Sequence, residues 1–372
     1  MTSTTSLWLD GTRRDYGALE SDAVADVAIV GGGIAGVCTA YFLARAGAQV
    51  VLLEARGIAE AASGRNAGFI LSGVVENFAA ATRRYGEDRA WRLWGVTKRA
   101  QQLIRGLVAE HAIDCDIAWN GSLQVAGDDD EWRDIQESVV MLSRRGVAAT
   151  LDPATRSGRY DDDGEFHPVK FIRALARAAA RAGAALHEST RVTDVTGGTL
   201  RTERASVRAK AIVLCTNAYT AHLATTRIRP VRGQILATAP TARVFERPAY
   251  AHRGYRYWRQ TPDGRVIVGG WRNEAVDDEI GEDETTTPFI QSRLDAFLRE
   301  HGITASVTHR WAGTMGFSHD AIPYVGPIDH GVFVCGGFTG HGMAFGPASA
   351  EIVATLARGG SHPHADLFDP HR

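Results

Sequence analysis

A glycine-rich turn between an apolar strand and a helix constrains the fold of this chain more than any other feature. The stretch ADVAIVGGGIAGVCTAYFLARAGAQVVLLEA, residues 25–55, opens with a short apolar run typical of a buried parallel strand. Glycines follow, then a helical stretch from Ala35 to Ala46. Gly47 fits the end of that helix, and a second apolar run leads to Glu54. This order predicts one strand–helix–strand unit.

The glycines in this turn have the spacing that a bound dinucleotide requires. Gly31 permits the tight turn, Gly33 lets a pyrophosphate approach the backbone, and Gly36 lets the helix pack closely on the strand. The start of the helix, at Ile34 and Ala35, supplies amide donors and partial positive charge. The turn therefore predicts a dinucleotide-binding site.

Glu54 ends the second strand of the unit, where an acidic side chain holds the ribose hydroxyls of a dinucleotide. This favours NAD or FAD over NADP but does not choose between the first two.

A second glycine-rich stretch, VCGGFTGHGMAFGP, lies at residues 334–347, near the other end of the chain. It reads as a strand, a turn and the start of a helix. Glycines at a bend explain it without any ligand, and so does a second holder for a long cofactor.

The chain between these loops is interleaved in character. Alternating strand and helix patterns occupy residues 166–220, whereas VRGQILATA, YRYWRQ and GRVIVGGW are strand-like runs separated by turns. We expect an α/β (α+β) fold in which one domain comprises residues 1–78, 151–228 and 309–372. An antiparallel-sheet domain from residues 79–150 and 229–308 is inserted between those pieces. Two helical stretches, 79–110 and 130–145, belong to the insertion.

Several stretches together resemble the D-amino acid oxidase family, in its γ-glutamylputrescine oxidase and glycine or sarcosine oxidase-like branch. They are IVGGGIAG, EAASGRNAGFI, LCTNAYT, PVRGQ, GTMGFSHDAIPYVGP and GGFTGHGM. The resemblance covers nearly the whole chain. It implies a Rossmann-like FAD-binding domain with an inserted substrate domain. The first loop then holds the FAD pyrophosphate, and the second cradles the isoalloxazine ring.

The resemblance also implies which further residues contact FAD. They are Ala55, Arg56, Ser63, Gly64, Arg65, Asn66, Ala67, Val192, Thr216, Asn217, Gly313, Gly340, His341, Gly342 and Met343. The sarcosine oxidase branch attaches its flavin through a cysteine, and the matching position here is Gly313. We therefore expect FAD to be bound non-covalently.

The chemistry implied is oxidation of a C–N bond by hydride transfer to flavin N5, which gives an imine that hydrolyses. Oxygen or another electron acceptor then reoxidises the flavin. The branch has one lysine that promotes the oxygen reaction and one that binds a substrate carboxylate; Ile267 and Ala344 stand at those positions here. Whether the reduced flavin reacts with oxygen is therefore left open by the sequence. We expect a substrate that either has no carboxylate beside the reacting carbon or has that carboxylate held by an arginine.

Candidate catalytic residues are Tyr257, Trp271 and His341, because the first two lie on strand-like runs of the insertion and the third lies in the second glycine loop. Packing explains each aromatic residue equally well. Arg232 and Arg256 are weaker candidates for holding a carboxylate.

Composition excludes some other functions. The formal net charge of −2 gives no general attraction to nucleic acid or anionic lipid, and no apolar run predicts a membrane span or signal peptide. The four cysteines suit buried free thiols, the thirteen histidines show no metal-ligand spacing, and a cytoplasmic protein is expected. A dehydrogenase that passes electrons to a quinone or carrier, a flavin hydroxylase, an NAD-dependent dehydrogenase and a non-enzymatic flavin module remain as alternatives.

Overall fold

A computed structural model describes residues 2–372. Its strands are β1 (Ala23–Val30), β2 (Val50–Leu53), β3 (Phe69–Ile70), β4 (Ser122–Val125), β5 (Ala149–Asp152), β6 (Ser157–Tyr160), β7 (Gly164–Glu165), β8 (Ala185–His187), β9 (Val192–Thr196), β10 (Thr199–Thr202), β11 (Ser206–Leu214), β12 (Arg229–Pro240), β13 (Ala249–Ala251), β14 (Arg256–Gln260), β15 (Arg265–Gly270), β16 (Val307–Phe317), β17 (Tyr324–Asp329) and β18 (Val332–Gly336). The α-helices are α1 (Ile34–Arg45), α2 (Phe78–Tyr85), α3 (Glu87–His111), α4 (Asp129–Ser143), α5 (Pro168–Arg181), α6 (Pro288–Glu300) and α7 (Gly342–Ala357). Short 3₁₀ helices lie at Leu7–Leu9, Ala62–Gly64, Asn217–His222, Arg272–Glu274 and Ala365–Phe368.

The first sheet has the strand order β17-β18-β11-β1-β2-β8 and is extended by the β9–β10 hairpin. Strands β18, β11, β1, β2 and β8 run parallel, and β17 is antiparallel at the edge. Successive residues of β1 point to opposite faces. Val27 and Ile29 join the core under α1, α5 and α7, whereas Ala28 and Val30 join the core on the other face. Burial of both faces explains why the strand is apolar throughout.

The second sheet has the order β16-β12-β15-β14-β13-β4-β6-β5 and is antiparallel except where β13 meets β4. Helix α6 covers one of its faces, with Leu294 and Phe297 packed against Val266 and Val268. The α/β (α+β) fold is confirmed.

The expected domain boundaries do not follow the two sheets in every place. Strand β6 and the part of β16 from residue 309 onwards fall within segments that we assigned to the first domain, but both strands pair within the second sheet. Strand pairing between residues distant in sequence is decided by tertiary packing, which local patterns do not record.

The predicted helix over residues 79–110 is divided at Gly86. This glycine ends α2 and precedes α3, with a φ of 85° that residues with a side chain rarely adopt. The predicted helix over 130–145 is found as α4.

The parallel strands bring the two glycine loops together. Strands β1, β11 and β18 are neighbours that run in the same direction, so their carboxyl ends meet at one edge of the sheet. The first glycine loop follows β1 and the second follows β18. The two glycine loops, which are about three hundred residues apart in the sequence, thus lie next to each other in space.

Within residues 2–372, each helix is too short or too polar to cross a membrane. The four cysteines are buried.

Gly36 is a test of the strand–helix contact, because a Cβ there would lie 1.9 Å from the carbonyl oxygen of Gly31. We expect Gly36→Ala to destabilise the protein by more than about 3 kcal/mol, since the backbone must move. Gly95, inside α3, has no atom within 4 Å of a built Cβ and is the matched control. Gly95→Ala should stabilise by about 0.5–1 kcal/mol. Thermal unfolding of both variants measures this, and equal melting temperatures would contradict the assigned contact.

Candidate functional site

A cavity of about 640 Å³ lies at the edge where the two glycine loops meet. The second sheet closes it from the other side with residues of β12–β16. This volume is within the range of small-molecule and cofactor sites. The site is therefore formed between the two sheets.

The first loop keeps its glycines for close contacts. Gly31 has a φ of 106°, and a Cβ there would lie 2.7 Å from the carbonyl oxygen of Cys215, which directly follows the neighbouring strand β11. Gly33 precedes α1, and a Cβ there would meet the Ser63 hydroxyl at 2.8 Å. That hydroxyl accepts a hydrogen bond of 3.0 Å from the Ile34 amide. Ser63 thus holds the start of α1, and Gly31, Gly33, Ile34 and Ala35 line the cavity.

Glu54 lines the cavity beside the first loop and also supports that loop. Its carboxylate accepts hydrogen bonds from the Gly32 amide at 2.6 Å and the Arg56 amide at 2.7 Å. Burial raises the pKa of the Glu54 carboxyl against the opposing effect of these bonds. Ala55, Arg56 and Val192 line the same end of the cavity.

The SGRNAG stretch borders the cavity, but its polar side chains mostly bind protein groups. Arg65 donates to the carbonyl oxygens of Glu60 at 3.0 Å and Ala312 at 2.9 Å. The Asn66 amide donates to the carbonyls of Ala62 and Ser63. These two side chains fix the shape of the loop and its contact with β16.

Two expected members of this stretch differ in position. Ala67 lines the cavity, whereas Gly64 does not. Gly64 is buried, and a Cβ there would lie 2.1 Å from the carbonyl oxygen of Ala59. Gly64 is required for packing behind the cavity wall.

The second loop is held by Asn217, which follows β11. Its side-chain oxygen accepts a hydrogen bond of 2.9 Å from the Gly337 amide, and its φ is 47°. Gly340 also has a positive φ, of 84°, and His341 precedes the first residue of α7. The expected residues Thr216, Asn217, Gly340, His341, Gly342 and Met343 all line the cavity.

Gly313 lines the cavity on β16, where a Cβ would lie 2.7 Å from the Arg65 Cβ. The position therefore offers neither a thiol nor space for one without movement of Arg65.

Of the three catalytic candidates, Tyr257 and His341 reach the cavity. Burial raises the pKa of the Tyr257 phenol and lowers the pKa of the His341 imidazole to about 4. The His341 Nδ1 atom is buried and has no hydrogen-bond partner within residues 2–372. The Tyr250 ring lies 5.9 Å from the His341 ring and 6.2 Å from the Tyr257 ring. Both tyrosines and the histidine are uncharged near neutral pH.

The structure does not bring Trp271 to the cavity. Its ring packs 5.8 Å from Phe297 of α6, on the far side of the second sheet. Strand β15 ends at Gly270, where φ is 118°, and Trp271 itself has a φ of 63°. Because the alternation of faces ends there, the strand pattern gives the wrong side for this residue.

Sequence reasoning missed Arg272, Tyr250 and Met315, which line the cavity from the second sheet. The candidates Arg232 and Arg256 are engaged elsewhere, with Glu279 at 2.9 Å and Glu274 at 3.3 Å. Tyr250 lies opposite Tyr257 on the neighbouring strand β13. The shared face of those strands is a signal that strand pairing supplies and sequence does not.

The residues present fit FAD. Glycine backbone lines the cavity at both ends, Glu54 borders one end, and the unpartnered His341 Nδ1 borders the other. A dinucleotide needs close backbone approach at its phosphates, and the flat ring needs the same at its other end.

Asn217 offers a test of the second loop. Asn217→Gly keeps the left-handed backbone but leaves the Gly337 amide without its partner, so we expect FAD to bind about 10-fold more weakly. Asn217→Ala adds backbone strain of about 1 kcal/mol and should weaken binding about 5-fold further. Quenching of flavin fluorescence by the apoprotein measures both. Wild-type affinity in both variants would show that this hydrogen bond does not position the loop.

Comparisons with known proteins identify the family of the chain. The DAO family model, described as FAD dependent oxidoreductase, matches residues 26–356. The chain is 27% identical to a probable oxidoreductase OrdL of Rhizobium meliloti, over 95% of this chain and 88% of that protein. It is 26% identical to the gamma-glutamylputrescine oxidoreductase of Escherichia coli, over 99% and 92% of the two chains.

Solved structures show the same fold. The glycine oxidase of Geobacillus kaustophilus superposes with a TM-score of 0.79 at 21% identity, over 94% of this chain and 99% of that one. The L-proline dehydrogenase of P. horikoshii superposes with a TM-score of 0.80 at 23% identity, over 94% and 98%. The chain belongs to the DAO family of FAD-dependent oxidoreductases, and its FAD is bound non-covalently.

Proposed function

We propose that this enzyme oxidises a C–N bond of an amine or amino acid and that oxygen then reoxidises the reduced cofactor to give hydrogen peroxide. The observation that carries the proposal is the end of the cavity beside the second glycine loop. There, Tyr250, Tyr257 and His341 form an uncharged wall. This wall suits a substrate that reacts as a neutral amine.

Bound FAD supplies the acceptor, at flavin N5, for a hydride from the carbon attached to the substrate nitrogen. Gly31, Gly33 and the start of α1 would hold its pyrophosphate end, and Glu54 would accept hydrogen bonds from the ribose hydroxyls. Gly340, His341 and Gly342 border its ring end. The N-terminus of α7, which begins at Gly342, would direct partial positive charge towards that end.

The side chains of the cavity need not supply a strong base. The acidic residues among those lining it are Glu54 and Glu282. Glu54 accepts two backbone amides, and Glu282 is bonded to His222 at 2.7 Å. The wall of Tyr250, Tyr257 and His341 positions the substrate carbon, excludes water, and disfavours the charged ammonium form because the surroundings are poorly solvating.

Relatives support this reaction class. One similar protein is named for γ-glutamylputrescine, an amine, and another is a glycine oxidase of Geobacillus kaustophilus, 26% identical over 89% of this chain. Those two names refer to an amine and to an amino acid, and we extend that class of substrate to this chain.

A dehydrogenase that uses a quinone or another carrier is the second candidate. Ile267 stands at the position of the oxygen-promoting lysine in the sarcosine oxidase branch, and it is fully buried in the core.

We further propose that the first sheet forms the FAD-binding domain and the second sheet the substrate-binding domain.

Anaerobic reduction of the holoenzyme tests the reaction. We expect a panel of polyamines, γ-glutamylated amines, N-methyl amino acids, and D- and L-amino acids to contain a class that bleaches the visible flavin band. Admission of air should restore the band and release peroxide. Restoration only by a quinone would favour the dehydrogenase. A flavin that no member of the panel reduces would overturn the proposal.

Acid precipitation tests the mode of attachment. Because Gly313 offers no thiol, trichloroacetic acid should release the flavin into the supernatant, where its spectrum and chromatographic mobility match free FAD. Yellow colour that stays with the washed pellet would contradict non-covalent binding.

A further inference from the structure

Four consecutive carbonyl groups at the end of the SGRNAG stretch, those of residues 65–68, accept hydrogen bonds from side chains that are distant in sequence. The indole N–H of Trp311 donates to the Arg65 carbonyl at 3.0 Å. The indole N–H of Trp8 donates to the Asn66 carbonyl at 2.6 Å. Because side chains supply these donors, the path of the segment beside the cavity depends on where those side chains lie.

Arg259 of β14 holds the other two carbonyls of the segment. Its Nη1 atom lies 3.2 Å from the Ala67 carbonyl oxygen and 3.1 Å from that of Gly68. The same nitrogen donates to the Phe166 carbonyl at 2.9 Å, and Nε lies 2.7 Å from the Glu165 carboxylate. Arg259 therefore connects the second sheet to the segment before β3 and to β7, the strand that pairs with β3.

The contact between the guanidinium and the segment is close. Gly68 has a φ of 76°, and a Cβ there would lie 2.7 Å from the Arg259 Nη1 atom and 2.4 Å from the Phe166 carbonyl oxygen. A side chain at Gly68 would therefore displace the guanidinium from the carbonyls that it bonds.

The net stability gained from Arg259 does not explain its presence in the core. Its side chain is 1% exposed, and burial lowers the pKa of the guanidinium against the opposing effect of Glu165. A buried ion pair adds little net stability, because the lost hydration offsets the attraction between the charges. The Trp8 ring, 5.6 Å from the central guanidinium carbon, adds a cation–π contact. A donor that bonds several carbonyls at once is what an apolar side chain could not replace.

The segment that Arg259 holds leads directly into the cavity wall. Phe69 lines the cavity, and its ring lies 5.3 Å from the Tyr250 ring and 6.3 Å from the Tyr257 ring. Both tyrosines pack against the apolar cluster to which Phe69 belongs. Tyr257 and Arg259 are two residues apart on β14, so their side chains point to the same face of the sheet. One strand therefore supplies both the wall and the clamp.

We propose that Arg259 is a positioning residue for hydride transfer. It fixes residues 67–68 against the second sheet and so sets the distance between the uncharged wall and the cofactor. This rests on the proposed function, because the wall is the surface assigned there to the substrate. Transfer requires reacting atoms about 3–3.5 Å apart, and a displacement of about 1 Å costs about 100-fold in rate. Loss of the clamp therefore slows flavin reduction more than it weakens substrate binding.

Anaerobic stopped-flow reduction of the FAD-saturated holoenzyme tests this role, with glycine, sarcosine, putrescine and γ-glutamylputrescine as the substrates offered. We expect Arg259→Met to lower the limiting rate constant of reduction about 30-fold and to change the apparent substrate Kd less than about 3-fold. Arg259→Lys should be intermediate, because it keeps the charge beside Glu165 but loses the guanidinium fork. The control is Arg310→Met, which removes an arginine of β16 that pairs with Asp295 of α6 at 2.7 Å, away from the cavity lining.

A double variant separates positioning from stability. Arg259→Met alone leaves the Glu165 charge buried without its partner, so it should lower the melting temperature. Arg259→Met combined with Glu165→Gln removes both charges and should recover part of that loss. Reduction should stay slow, because the carbonyls of residues 67–68 still lack their donor. Thermal unfolding and stopped-flow reduction of the same preparations measure the two effects.

The bound flavin gives readouts that need no substrate. We expect Arg259→Met and the double variant to change the visible circular dichroism of the flavin and to weaken FAD binding about 10-fold, as measured by quenching of flavin fluorescence. Trp8→Phe keeps a ring beside Arg259 but removes the N–H that holds the Asn66 carbonyl, so FAD binding should weaken about 5-fold. Arg310→Met should match wild type in both measurements.

The outcomes are distinct. Slow reduction that persists in the double variant, with substrate Kd unchanged, supports the proposal. Recovery of both the melting temperature and the reduction rate overturns it, because Arg259 then acts on stability alone. If no compound reduces the wild-type flavin, the proposed function fails, and wild-type dichroism and FAD affinity in both Arg259 variants would overturn the positioning role separately. If Arg259→Met does not fold, Arg259→Lys and Trp8→Phe decide by the same measurements.

Discussion

The parallel alignment of β1, β11 and β18 is the constraint on which the rest of the site depends. Three neighbouring strands that run in one direction present their carboxyl ends at one edge. Everything that follows those strands, namely both glycine loops and the Thr216–Asn217 turn, must lie at that edge. A cofactor with two distant functional ends needs two separate holders, and this alignment supplies them from opposite ends of the chain.

Close backbone contacts maintain the alignment. Gly36 allows α1 to lie against the loop that β1 enters, and Gly31 allows that loop to lie against the end of β11. The Asn217 side chain then bonds the Gly337 amide and so connects the end of β11 to the second loop. Steric contacts and one hydrogen bond thus join three strands' ends into a single surface.

The second sheet gives the site its chemical character. Strands β13 and β14 supply an uncharged wall of tyrosines, and the end of β15 supplies a cation. The same sheet keeps Trp271 and Trp258 on its opposite face, where both pack against Phe297. A single sheet therefore separates the surface that meets the substrate from the surface that forms a core.

The sequence by itself determined the dinucleotide turn and the acidic residue after the second strand. These depend on residues close in sequence, whose steric limits act in any fold of this type. It also indicated FAD rather than NAD through resemblance. Tertiary structure alone decided that Arg65 and Asn66 brace their own loop, that β6 and β16 join the second sheet, and that Arg272 rather than Trp271 enters the cavity. Those outcomes depend on pairing between distant strands and on the positive φ values at Gly270 and Trp271. Strand alternation holds only while the backbone stays extended, so no local pattern could show where it ends.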